Sequence, residues 1–270
     1  MPPTKFSMLL LGLMTWAGCA NVPQVPIRQP IQKPMHFEHG EFTEVLQKYV
    51  DEEGMVDYAA LKTDRGKLDA YLIRLAQNDP DRLPELERLA YWINVYNAFT
   101  LKLVLENYPV RSILRITPLP IPGKTSAWDL ESVTVGGKRF TLTAVEHEII
   151  RKEFKEPRIH FALVCAAMSC PKLRREAYEG IRLDEQLTDQ AVVFLSEKHK
   201  NDLNPSADTI RLSKIFSWFA SDFEQDGQTV QQYLSRFFPY EDLLRTKLQK
   251  NAFKLRYTDY DWGLNRKDKK

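Results

Sequence analysis

The longest helical pattern in the chain runs over residues 84–108 and stops at Pro109. Leu86, Leu89, Ile93, Tyr96 and Leu103 keep the helical period, and the positions between them are also largely apolar. This predicts a central helix buried nearly all round, with Pro84 at its first position. Over residues 131–142, Val133 and Val135 alternate with polar neighbours before Gly136-Gly137, and Phe140 follows, which is a β-hairpin pattern. Thr143 and Glu146 have the spacing of a capping box that opens a helix to about Phe154. The apolar run over residues 159–165 predicts a buried strand. Helices are expected over 184–198, 217–223, 229–238 and 241–250, with a last short strand over 253–257. The sum is a helix-rich α+β domain with a small central, mostly antiparallel sheet.

Charge narrows the range of partners. The 270 residues carry 38 Lys+Arg against 36 Asp+Glu, interspersed along the chain, so no nucleic acid or acidic partner is implied. With 43% hydrophobic residues the chain is an ordinary globular protein. Its amino terminus is different in kind. Lys5 precedes an apolar core of about a dozen residues, too short to span a bilayer comfortably, and the stretch closes on Trp16-Ala17-Gly18-Cys19. This resembles the lipobox of bacterial lipoproteins, although Trp16 stands where Leu is usual. The resemblance implies a signal peptide over 1–18, lipidation at Cys19 and attachment to the membrane through the acyl chains. Ala20, in place of Asp, points to the outer membrane, facing the periplasm. An ordinary secretory signal with a spare Cys is the alternative. Residues 19–35 carry Pro23, Pro26, Pro30 and Pro34 and read as an extended tether. Residues 36–265 form one domain and 266–270 a basic tail.

Reactive side chains concentrate over 146–171: Glu146, His147, Arg151, Arg158, His160, Cys165, Ser169 and Cys170. On a strand, His160 and Cys165 would point to opposite faces, which makes His160 a poor partner for the thiol. His147 shares a helical stripe with Ile150 and Phe154 and is the better base. Cys170 precedes Pro171, and a helix over 172–178 would set its thiol at a helix N-terminus beside Arg174 and Arg175. Each feature also has an ordinary structural role. A Cys ending an apolar run is often only buried, Glu146 completes the capping box, and Cys165 and Cys170 can form a short-loop disulfide. Zinc is the competing chemistry, but the spacing fits no standard pattern, so no metal and no cofactor is expected. Asn94 and Asn97 must be hydrogen-bonded inside the central helix; Asn97 either ties backbone or orients a catalytic His. Trp128 and Trp218-Phe219 read as core aromatics rather than a ligand cage.

Several motifs together resemble the DUF547 family, a domain of unknown function. They are Tyr91-Trp92-Ile93-Asn94-Val95-Tyr96-Asn97-Ala98, Glu146-His147-Glu148-Ile149-Ile150-Arg151, Pro157 through Cys165, Ser169-Cys170-Pro171 and Tyr260-Asp261-Trp262-Gly263-Leu264-Asn265. Family members occur in bacteria as secreted or lipid-anchored proteins, in plants beside coiled coils, and in some animals fused to a glutaredoxin-like domain. Plant members keep Cys at the position matching 165 and carry Ser at that matching 170, which ranks Cys165 above Cys170 as nucleophile and leaves both as candidates. The expectation is a cysteine-centred site resembling papain- or transglutaminase-type acyl chemistry. In it Cys165 attacks, His147 is the base, Asn97 or Glu146 orients, and Ser169 and nearby amides receive the oxyanion. Arg158, His160 and Cys170 would flank an unknown peptide, amide or small thiol. A non-catalytic envelope binding module and a thiol-redox protein using Cys165 and Cys170 remain open.

Overall fold

The computed structural model describes residues 35–116 and 126–267. The signal-peptide, Cys19 and tether readings therefore lie outside the described residues. None of the described helices is long and apolar enough to cross a membrane.

Three short helices open the domain: α1 (Gly40–Tyr49), α2 (Tyr58–Thr63) and α3 (Gly66–Gln77). Phe42, Val45, Leu46 and Tyr49 form the buried stripe of α1, and Leu68, Tyr71, Leu72 and Leu75 that of α3. Both are the i, i+3, i+4, i+7 pattern of a helix with one face on a core. Helix α3 packs on both α1 and α4 (Glu85–Asn107), for which Pro84 serves as N-cap rather than first residue. From Leu89 to Leu105 nearly every α4 side chain is buried, as its all-round apolar pattern requires.

Strands β1 (Val133–Val135) and β2 (Lys138–Phe140) pair antiparallel with Val133 opposite Phe140. Gly136 and Gly137 take φ of +55° and +73°, the conformation that a two-residue turn of this hand demands. The next helix does not open on a capping box. The Thr143 hydroxyl donates to Asp129 Oδ1 at 3.0 Å, and Thr141 Oγ1 instead accepts the Ala144 N–H at 2.9 Å. Residues Ala144–Ile150 then wind as a π-helix and pass into the single turn α5 (Arg151–Glu153). Such π windings recur at functional sites.

The expected strand over 159–165 is absent. Pro157 sits at the start of a 3₁₀ turn, Pro157–Phe161, and the Glu156 carboxylate caps it by accepting the Arg158 N–H. Nor does a helix follow Pro171; the chain to Glu179 is irregular, and α6 (Leu183–Ser196) comes after it. The rest comprises β3 (Thr209–Leu212), α7 (Ile215–Trp218), α8 (Ala220–Phe223), α9 (Val230–Ser235), α10 (Asp242–Gln249) and β4 (Lys254–Tyr257). Strand β4 pairs with β3 in parallel, Thr209 opposite Lys254, with the helices between as crossover. The strands thus form two separate pairs, β1-β2 and β3-β4, in a helix-rich α+β domain.

Two hydrophobic clusters result. The larger surrounds α4; the smaller joins Phe161, Phe194, Phe216, Phe223 and Tyr233. Tyr260 packs against both.

Candidate functional site

Because α4 is buried on every side, its amides must find partners within the protein. Asn97 Nδ2 donates to Ala162 O at 3.0 Å, and its Oδ1 accepts the Val164 N–H at 2.9 Å. Asn94 clasps Tyr178 in the same way, at 2.8 and 2.9 Å. Both side chains are therefore spent on backbone, and Asn97 fixes the segment that delivers Cys165 from behind. Directly after Cys165 the chain reverses through Ala166 at φ +60°, a strained conformation for a residue with a Cβ, and Asn265 N–H holds its carbonyl at 3.0 Å.

This reversal brings Cys170 back to Cys165, and the two are joined as a disulfide. Cys165 is half-buried, whereas Cys170 is only 3% exposed. The Cys165 N–H donates to Cys170 Sγ at 3.1 Å, and the Tyr260 hydroxyl lies 3.3 Å from Cys170 Sγ and 3.5 Å from Cys165 Sγ. Burial, reinforced by the Glu146 charge, pushes the Tyr260 hydroxyl well above its ordinary range, so it keeps its proton. With no helix after Pro171, the dipole argument for Cys170 fails; its carbonyl instead accepts from Lys200 Nζ at 2.6 Å.

Both sulfurs face a cavity of about 290 Å³ whose wall also carries Glu146, His147 and His160. The two histidines differ in kind. Arg151 Nη1 lies 3.0 Å from His147 Nδ1, and since guanidinium can only donate, that nitrogen is already an occupied acceptor. His160 is 3% exposed, stacked on Phe219 at 3.9 Å, and its Nε2 donates to Asp222 Oδ2 at 2.7 Å. Its Nδ1 bonds none of the described residues and is left with its lone pair. Burial holds the His160 imidazole below its usual pKa, partly offset by the Asp222 hydrogen bond. Burial alone would raise the Asp222 carboxyl. Hydrogen bonds from His160 and from Arg151, which grips it at 2.6 and 2.7 Å, hold it well below the carboxylate range. The period-2 argument that set His160 away from Cys165 fails because the segment is a 3₁₀ turn; both residues line one cavity.

Residues 80–195 match the family model DUF547, a protein of unknown function. The family is shown for this segment, 116 of the 270 residues. No curated protein and no solved structure matches the chain. The DUF547 match spans α4, the hairpin, both cavity histidines and both cysteines, while Asp222 and the aromatic wall of Trp218, Tyr260 and Trp262 lie beyond it.

The other expected site residues are dispersed. Arg158 is tied to Glu156, Thr188 and Asp184, away from the cavity. Ser169 Oγ accepts the Asp261 N–H at 2.8 Å and so anchors the segment bearing Tyr260. Glu146 lines the cavity beside Tyr96, with which it shares a hydrogen bond. Trp128, Trp218 and Phe219, expected in the core, stand on the cavity wall. Asp222 was missed: 62 residues separate it from His160, and its only signal is an acid among Phe216, Phe219 and Phe223. Among the described residues no three His, Cys, Asp or Glu side chains are grouped to hold a metal ion.

Proposed function

We propose that the cavity is a Cys–His–Asp site for acyl or amide chemistry, carried on a domain that a lipid at Cys19 tethers to the cell envelope. The supporting observation is the His160–Asp222 pair, because His160 and Cys165 line the same cavity. In this reading His160, not His147, is the base. The buried, neutral imidazole removes the Cys165 proton, and Asp222 holds the ring and stabilises the imidazolium that forms. The thiolate attacks an acyl carbon, the leaving amine takes the proton from His160, and water or an acceptor amine resolves the thioester. The disulfide must first be reduced. An external dithiol supplies two electrons and two protons and leaves as its own disulfide. Ser169, engaged with Asp261, is replaced as oxyanion donor by the Tyr260 hydroxyl. The Ala-Gly-Cys ending and the Pro-rich stretch after it support the anchor, with the outer membrane as destination.

The test is the pH dependence of iodoacetamide labelling of the reduced full chain, read at each cysteine by mass spectrometry. Cys165 is expected to label fast at neutral pH, to slow at least ~10-fold in His160→Ala and to change little in His147→Ala. Equal labelling in His160→Ala, or no labelling before unfolding, overturns the proposal. A second reading, thiol–disulfide exchange, is favoured by one observation: a half-buried Cys165 paired with a buried Cys170, the arrangement of attacking and resolving thiols. It predicts that the pair equilibrates with a glutathione redox buffer.

A further inference from the structure

The cavity's aromatic wall has a charge character that the cysteine chemistry does not use. Trp262 is its hub, with ring centroids 4.6 Å from Tyr260, 5.8 Å from Trp218 and 5.9 Å from Trp128. The rings meet at 51°, 26° and 71°, and Trp218 lies 4.8 Å from Tyr260, so they form standing walls rather than one flat platform. Trp218 is 45% exposed, unusual for an indole with this many aromatic neighbours. Among the described residues the lining contains no Lys or Arg, and Glu146 is its one carboxylate. Glu146 forms no ion pair among the described residues, and the nearby cation, Arg151, is committed to Asp222 and lies over the Phe219 ring at 5.1 Å. The wall thus presents π faces and a carboxylate with no ion-pair partner among the described residues, and each attracts a cation. A volume near the lower end for small-molecule sites suits a side chain or headgroup rather than a large ring system.

Building on the cysteine-centred reading of the same cavity, we propose that its substrate is cationic: an ammonium or methylated ammonium group is held by Trp218, Tyr260 and Trp262 with Glu146 as counter-charge. The acyl carbon attacked by Cys165 then belongs to an amine-bearing compound. A saccharide is the natural competitor for an indole-rich wall. It favours a flat ring face bordered by several hydrogen-bonding groups, whereas here only Trp218 and Trp262 lie near parallel, Tyr260 and Trp128 stand at steeper angles to Trp262, and the lone acid calls for charge.

The experiment uses choline and its uncharged isostere 3,3-dimethylbutan-1-ol, titrated into the full chain with tryptophan fluorescence as readout. Choline is expected to bind at least ~10-fold more tightly than the alcohol. Glu146→Gln should erase most of that difference while leaving the alcohol unaffected. Trp218→Ala, at an exposed ring outside both cores, should weaken choline in the same way and serves if Glu146→Gln does not fold. Equal affinity for the two probes, or displacement of choline by a chitin disaccharide at lower concentration, overturns the proposal. Cys165→Ser separates the two readings. Choline binding should survive it, so slow Cys165 labelling with intact choline selectivity sinks only the acyl mechanism, and the reverse sinks only the cation site.

Discussion

Replacing Asn97 by Ala removes a neutral side chain that touches no cavity atom, yet it should disturb the site. Two groups lose their partner, the Ala162 carbonyl and the Val164 N–H, now held at 3.0 and 2.9 Å in a region closed to water. Each buried group left unpaired costs about 1–3 kcal/mol, so the substitution should destabilise the domain by about 2–6 kcal/mol. Asn94→Ala is the internal control. It abandons an equivalent clasp on Tyr178, and Asn94 is absent from the cavity lining, so its stability cost should be similar. Urea unfolding of both variants at neutral pH gives the two free energies, and native-state labelling of reduced Cys165 gives the consequence for the site. Asn97→Ala should change the Cys165 rate severalfold and Asn94→Ala should not. A cost below about 1 kcal/mol for Asn97→Ala, or equal effects of both variants on labelling, would refute the view that this amide positions the cysteine segment.

Burial, with His36 and Arg74 adding to it, lowers the pKa of His39 to about 3, and its Nδ1 meets the Tyr71 hydroxyl at 2.6 Å. The unfolded chain takes this proton below about pH 6.5 and the folded chain does not. The stability from the neutral form is therefore complete above pH 6.5 and is lost progressively toward pH 3, up to a limit of about 5 kcal/mol. His39→Gln should flatten the pH dependence of urea midpoints across that window. Gly54 takes φ +74°, and a Cβ there would stand 2.7 Å from Leu173 N, so Gly54→Ala should lose at least about 2 kcal/mol in the same assay. Phe161, wholly buried against Phe194, Phe216 and Phe223, should cost about 3–5 kcal/mol on truncation to Ala, measured by thermal unfolding.

What could be read from sequence depended on how local its cause was. The long helix and the hairpin with its two glycines are determined within a few residues, and each is where the pattern placed it. The segment 159–165 misled because apolarity alone does not separate a strand from a buried irregular chain; the Glu156 cap and Pro157 that decide for a 3₁₀ turn are small signals beside six apolar residues in seven. Helices α1 and α3 carry the amphipathic spacing but no cap strong enough to announce them. The cysteine cluster was visible as a density of chemistry. Its pairing of His160 with Asp222 was not, because that contact is set by how Phe223 of α8 packs on Phe161 and Phe216, a tertiary event with no counterpart in spacing.

The parallel return of β4 and the segment after it has a consequence for when the site comes into being. Tyr260 and Trp262 are drawn into place by a seam that runs back to the front of the domain, Lys267 N–H to Val56 O, Val56 N–H to Asn265 O and Asn265 N–H to Ala166 O. A chain synthesised from its amino terminus therefore holds both cysteines and both histidines long before it owns the wall that encloses them. Until residues 260–267 arrive and zip onto Val56 and Ala166, the thiols face an open groove. Closure of the cavity therefore waits on residues 260–267, and loss of that segment removes Tyr260 and Trp262 from the wall together with the Leu264 contact to the α4 core.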